Sequence, residues 1–254
     1  MPQCKLCGCE DQTFPKSHII PKFMYKNIKN EKSQIFRIRM PDGKRLRPIF
    51  DGIYEKPLLC ELCEKKISKW ESYAEKVLYG STHINVPTAK PVPGTSYQEV
   101  SGIDYRTFKL FLLSILWRAN VSSNNFFNEV DLGNRHSEVI QEMLLNEDAG
   151  EEEKYPIVMI IPKGSIGSSV GVLQPYKSRG RNNVTRYIFP ICEAIYVYHV
   201  SSHGIGELEQ TACLKKNDSM HIVYSPKPRI EMLMDLYNVK ALVRPKIRHR
   251  LFNR

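Results

Sequence analysis

The sequence predicts an α+β protein in two parts: a small zinc-built ββα module at the N-terminus, then a mixed α+β domain. Three observations carry this. Two C-x-x-C pairs, Cys4/Cys7 and Cys60/Cys63, bracket the first part of the chain. Apolar residues recur with helical period over 63–78, 104–120 and 135–146. Short runs rich in β-branched and aromatic residues then follow between 155 and 224. A chain of 254 residues, 42% hydrophobic and 25% charged, suits one large or two modest domains and excludes wholesale disorder or a fibre.

Two cysteines with two residues between them close a tight turn that aims both sulfurs at one tetrahedral ion. Two such turns complete a zinc site with Cys4, Cys7, Cys60 and Cys63 as ligands and Cys9 as a possible substitute. In a reducing cytoplasm paired cysteines mean metal more often than disulfide. Residues 13–21 read as a strand ended by proline, and 35–39 alternate apolar and basic as a half-exposed strand would. Asp42-Gly43 marks a hairpin turn, with a further short strand at 46–53. Residues 63–78 form a helix on Ile67, Trp70, Tyr73, Ala74, Val77 and Leu78, ended by Gly80. A knuckle, a hairpin and a helix opening at the last zinc cysteine outline a treble clef over residues 1–80.

Residues 81–100, with Pro87, Pro91, Pro93 and Gly94, read as a linker. The α+β domain at 101–254 opens with a helix at 104–120 capped by Asp104 and a second at 135–146. An acidic loop at 147–153 reads as solvated. Strands are expected at 155–161, 170–173, 186–191, 194–200 and 220–224, and a last helix at 229–238. The most apolar run, 108–119, carries Lys109 and Arg118 and falls short of the roughly 20 residues a bilayer needs, so it is core. The N-terminus lacks the apolar stretch of a signal peptide, and a cytoplasmic protein without membrane contact is expected.

With 37 Lys+Arg against 27 Asp+Glu the net charge is +10, which points to an anionic partner such as nucleic acid. Arg37, Arg39, Lys44, Arg45 and Arg47 are candidates for phosphate contacts, the plainer reading being an exposed basic hairpin. Residues 244–250 make a second basic cluster, in the tail. His199 and His203 follow a strand and read as surface or loop residues. Cys192 and Cys213 read as core thiols. Residues 164–169 lack the Lys-Ser/Thr ending of a P-loop.

Ser17-His18-Ile19-Ile20-Pro21 lies between the first knuckle and Leu59-Cys60-Glu61-Leu62-Cys63-Glu64. Knuckle, S-H-x-x-P and L-C-x-x-C together resemble the HNH endonucleases of the His-Me finger group. The zinc frame and the segment Leu110 to Arg118 are also similar to a group of bacterial proteins of unassigned function. The HNH resemblance implies that His18 is the general base and that Glu64 stands where the family has its metal-binding histidine. It implies Mg²⁺ or Mn²⁺ as catalytic cation, beside the structural Zn²⁺, and a role in bacterial defence or a mobile element. Ser17 replaces the commoner Asp or His. The family's orienting asparagine falls on Asn27 or Asn30, while counting back from the second knuckle lands on Glu55.

The chemistry fits the motif. Phosphodiester hydrolysis needs a base for water, and a neutral imidazole is suited to it; a divalent cation offsets charge on the phosphate. The plainer readings are a His18 packed beside or ligating the zinc, and a Glu64 that is a solvated first-turn carboxylate. The sequence thus predicts a metal-dependent HNH-type DNA endonuclease. The alternatives are a non-catalytic zinc-dependent nucleic-acid-binding protein or a protein-interaction module. The C-terminal part is the expected seat of a homo-oligomer contact or a protein partner.

Overall fold

The computed structural model describes residues 1–10, 14–28, 31–39, 44–80, 88–91, 97–163, 171–180, 183–191, 193–201 and 207–228. The turn expected at 42–43, Asn30, the 164–169 turn, Cys192, His203, the helix at 229–238 and the tail at 244–250 lie outside them, as do the side chains of Asn27 and Arg45.

Short elements make up the N-terminal part: β1 (Ser17–His18), a 3-10 helix (Lys22–Ile28), β2 (Arg37–Arg39), β3 (Lys44–Arg45) and β4 (Tyr54–Glu55), followed by α1 (Glu61–Tyr79). The strand expected at 13–21 shrinks to β1 because Pro15 and Pro21 have no N–H for a ladder. The strand expected at 46–53 does not form. Pro48 and the positive φ of Gly52 (83°) interrupt it, leaving a single bridge between Ile35 and Ile49. β1 pairs antiparallel with β4, Ser17 opposite Glu55 and His18 opposite Tyr54. α1 runs to Gly80 as the periodicity predicts, burying Cys63, Ile67, Trp70 and Ala74.

The stretch expected to be linker contains β5 (Thr88–Pro91) and β6 (Tyr97–Ser101). Pro91 is compatible with this, since among the described residues β5 is an edge strand, where a missing N–H can face away from the ladder. Then come α2 (Tyr105–Val121) and α3 (Gly133–Asn146), and the remaining elements β7 (Ile157–Lys163), β8 (Val172–Leu173), β9 (Tyr176–Arg179), β10 (Thr185–Ile191), β11 (Ala194–Val200), α4 (Glu207–Ala212) and β12 (Ser219–Pro228). Of these, β9 and α4 have no counterpart in the sequence reading. Among the described residues a seven-stranded sheet runs β5-β6-β12-β7-β11-β10-β9, antiparallel except for β12 against β7. The architecture is mixed α+β, as expected. A second sheet, β3-β2-β8, joins the basic hairpin to the C-terminal part.

Every residue of β11 is buried, a pattern of strands covered on both faces. His199 is one of them, at 3% exposure, which corrects the loop reading; its backbone N–H donates to the Pro156 carbonyl at 3.0 Å. Cys213 is buried, in keeping with a core thiol. The acidic loop is not simply solvated either. Glu151 and Glu152 pair with Lys216 and Lys215, and Ala149 is buried.

α2 is the central strut. Asp104 caps it by accepting from the Thr107 N–H at 2.7 Å, and every residue from Phe108 to Ala119 is buried. Phe111 packs on Phe23 of the 3-10 helix with ring centroids 5.8 Å apart. One continuous cluster of buried residues extends from Cys4 to Met220. The Gln141 amide of α3 donates to the Leu6 carbonyl of the first knuckle at 2.6 Å. The N-terminal part is therefore packed on two helices of the C-terminal part.

Candidate functional site

The first knuckle folds as a tight hairpin. Cys4 N–H donates to the Cys9 carbonyl and Gly8 N–H to the Cys4 carbonyl, both at 2.9 Å, with Gly8 at φ 73° as the turn requires. Lys5 N–H donates to Leu58 O at 2.9 Å and draws this hairpin onto the second knuckle. The sulfurs of Cys4, Cys7, Cys9 and Cys60 then converge within 4.8 Å of one another. Among the described residues they are the one group of three or more His, Cys, Asp or Glu donors that does so.

Cys63 belongs to the same cluster through Cys4. Its thiol hydrogen-bonds the Cys4 sulfur, lowering the Cys4 thiol to about 4 while its own is pushed up. Cys9, beside Cys7 and Cys60, is pushed up to about 12. Neutral thiols packed this closely compete for one negative charge, a competition that a divalent cation removes. Four sulfurs around zinc at 2.3 Å lie about 3.8 Å apart, and Cys7 and Cys60 stand at 3.8 Å. The cluster could hold a metal ion. Cys9, at 3.3 Å from Cys7, is a fifth donor beside the four that the knuckle spacing singles out.

His18 is half-buried and its ring is held by the turn after Pro48. Its Nε2 donates to the Asp51 carbonyl at 2.7 Å. A carbonyl only accepts, so in the neutral ring the proton sits on Nε2 and the lone pair on Nδ1. Asp51 is fixed in turn by Lys22 at 2.8 Å and Lys16 at 3.3 Å, and these cations hold its carboxyl down at about 2. Gly52 wraps the ring. A Cβ there would lie 2.7 Å from Tyr25 Cε2 and 3.2 Å from His18 Cδ2. The Tyr25 hydroxyl accepts from the Ile53 N–H at 3.1 Å and completes the turn.

Glu64 sits in the first turn of α1, and its carboxylate reaches Ser17, the residue before His18. Burial pushes its carboxyl up, opposed by the Ser17 hydrogen bond and the nearby Arg118. One carboxylate oxygen, Oε1, is buried with no hydrogen-bond partner. Ser17 is fully buried and its Oγ accepts from the Leu59 N–H at 3.2 Å, joining histidine strand, helix start and second knuckle.

Arg118 crosses from α2 into this junction. It is 1% exposed and donates to the His18 carbonyl, to Ser114 O at 3.1 Å and to Ser114 Oγ at 3.2 Å, and it pairs with Glu71 of α1 at 2.8 Å. Removing one partner of a buried pair leaves an uncompensated charge. Sequence reading placed Arg118 as a cation in an apolar run, at the end of the segment Leu110 to Arg118, and gave it no partner. Its signal was there: a charge in the middle of a core helix requires a buried partner.

The other candidates fall elsewhere. Asn27 has its backbone in the 3-10 helix. Glu55 accepts from Ser122 Oγ (2.5 Å), Ser123 N–H (2.9 Å) and Ser123 Oγ (2.9 Å), so it fastens the loop after α2. Arg37 is half-buried, lies 5.9 Å from the centroid of the Phe126 ring and donates to Arg47 O at 3.1 Å. Arg39, Lys44 and Arg47 are exposed. Asp51 and Gly52 were missed, although Asp-Gly here carries the same turn signal as Asp42-Gly43.

No protein-family model, curated protein or solved structure matches this chain. Among the described residues no helix is long and apolar enough to cross a membrane.

Proposed function

We propose that this protein is a metal-dependent endonuclease of the HNH type, cutting DNA phosphodiester bonds with His18 as general base. The observation that carries the reading is the junction at Ser17. It ties the histidine strand to a buried carboxylate in the first turn of α1, directly beside a thiol cluster. That juxtaposition supports the resemblance drawn from the sequence motifs.

In this reading Cys4, Cys7, Cys60 and Cys63 hold a structural Zn²⁺ that clamps the two knuckles, with Cys9 beside them. The Asp51 carbonyl keeps the His18 proton on Nε2, which leaves Nδ1 to take a proton from water. Glu64 offers the unpartnered Oε1 as a hard oxygen ligand for Mg²⁺ or Mn²⁺, with water and phosphate completing the shell. Such a cation, when bound, supplies charge neutralisation at the phosphate and the leaving oxygen. Asp51 takes over, through its backbone, the orienting task that the family gives to an asparagine. Arg118 anchors the strand that presents His18.

The test is plasmid cleavage with Mg²⁺ or Mn²⁺, comparing the wild type with His18→Ala and Glu64→Ala variants whose zinc content is unchanged. Nicking or linearisation by the wild type and its loss in His18→Ala is the expected result. Cleavage that survives in His18→Ala refutes the assignment. DNA binding without cutting under either metal favours the non-catalytic binding protein.

A further inference from the structure

Two of the large apolar side chains left in water, Phe50 and Tyr54, belong to the segment that holds the candidate phosphodiester-cleaving histidine. Phe50 is 58% exposed and Tyr54 is 39% exposed. Phe50 immediately precedes Asp51, whose carbonyl holds the His18 ring. Tyr54 faces His18 across the β1–β4 ladder, with ring centroids 5.8 Å apart. Tyr54 thus lies against the histidine, and Phe50 stands in the same turn, one residue before the carbonyl that holds it.

Cations share this edge. Lys16 Nζ lies 4.5 Å from the Tyr54 ring centroid, and the side chains of Lys16 and Lys22 are 54% and 62% exposed. Both pair with the one carboxylate of Asp51. Two ammonium groups against one carboxylate leave a net positive edge, which suits a phosphate backbone. Exposed aromatics combined with cations along a chain path are how proteins hold unpaired strands. Every base has a face to stack, but in a duplex those faces are already covered by neighbouring bases. A hydrophobic protein partner would use the rings and would leave the cations unused.

We infer that the surface around His18 binds DNA as an unpaired strand, with Phe50 and Tyr54 stacking bases on either side of the phosphate presented to the histidine. This rests on the endonuclease reading above and names its substrate: single-stranded or locally unpaired DNA.

The experiment uses the full-length, metal-replete protein carrying His18→Ala, so that the probe stays intact. Fluorescence anisotropy compares a labelled single-stranded oligonucleotide with its duplex, without added Mg²⁺ or Mn²⁺. The single strand is expected to bind at least about tenfold more tightly. Adding Phe50→Ala or Tyr54→Ala should each weaken single-strand binding by about tenfold, the usual size of one lost stacking partner. Tyr54→Phe and Phe50→Tyr, which keep the rings, should hold affinity near that of the parent and report whether the turn is intact.

Equal affinity for duplex and single strand overturns the inference, as do alanine variants that bind like the parent. Strand-selective binding by a protein whose wild type never cuts DNA supports the surface and sinks only the endonuclease reading. Duplex cutting without strand selectivity does the reverse.

Discussion

The two ends of this chain solve the problem of holding a fold together in different ways. The C-terminal sheet buries whole strands: all of β11 is covered and pairs along its full length with β10. Its stability is apolar surface removed from water. The N-terminal part has strands of two or three residues and five cysteines around one point. Elements that short close few ladder bonds, and what stands beside them is packing on α2 and a thiol cluster that could hold a metal ion. The consequence is geometric. Backbone not committed to long ladders is free to bend around a histidine and leave it half-open to solvent, which a fully covered sheet does not allow.

The sharpest test of this contrast is metal removal. A structural zinc contributes on the order of 10–16 kcal/mol to folding of its module. Chelation under reducing conditions should abolish hydrogen-exchange protection around Leu58 to Cys63 while β10 and β11 keep theirs. Uniform loss across the chain would mean that the two parts are one cooperative unit.

Arg118→Met probes the strut between them. Stranding Glu71 and the His18 carbonyl should cost about 3–5 kcal/mol by denaturant titration. A loss below about 1 kcal/mol would show that α2 carries no such link.

Lys109 tests the C-terminal part alone. Its amine donates to the Tyr105 hydroxyl at 2.7 Å and to Glu151 O at 2.6 Å, and burial pulls it down to about 8 from an ordinary 10.5. Between those two pH values the unfolded chain binds more protons than the folded one, so this group makes stability rise with pH. Cys213, Glu152 and Glu153 oppose the shift and Lys216 adds to it. The buried Tyr105 hydroxyl and Cys213 thiol, both pushed up, slope the other way. Relative to Lys109→Met, the wild type should therefore gain about 2–3 kcal/mol as pH rises from 8 to 10.5. A flat difference would mean that the amine stays charged.

Gly52→Ala makes the finest cut. A Cβ at φ 83° and 2.7 Å from Tyr25 should cost about 1–3 kcal/mol, measured by thermal unfolding. On the endonuclease reading DNA cleavage should fall by more than stability explains, because the His18 ring lies 3.2 Å from the same Cβ and must give along with Tyr25. Wild-type activity in this variant would remove Asp51 and Gly52 from the site.

How much of this was legible depended on where the information lies. The knuckles, α1 and the Asp104 cap were readable because spacing and capping are local. The short strands β5 and β6 were not, because β6 pairs with β12, more than a hundred residues on, and β5 pairs in turn with β6, a ladder that the local sequence does not announce. His199 was misread for a similar reason: a polar ring after an apolar run looks like a strand end until a neighbouring carbonyl is known to receive its N–H.

The amino-acid sequence by itself determined the thiol pairs, the histidine motif, the positive balance and the helices, all properties of residue type and short-range period. Tertiary structure alone decided that Glu64 meets Ser17, that the Asp51 carbonyl sets the His18 proton, and that Arg118 from a distant helix clamps the same strand. Those contacts join residues tens to a hundred positions apart. Burial weighs most at Ser17 and Arg118: away from water, a hydroxyl or a guanidinium must find its partner wherever the fold brings one.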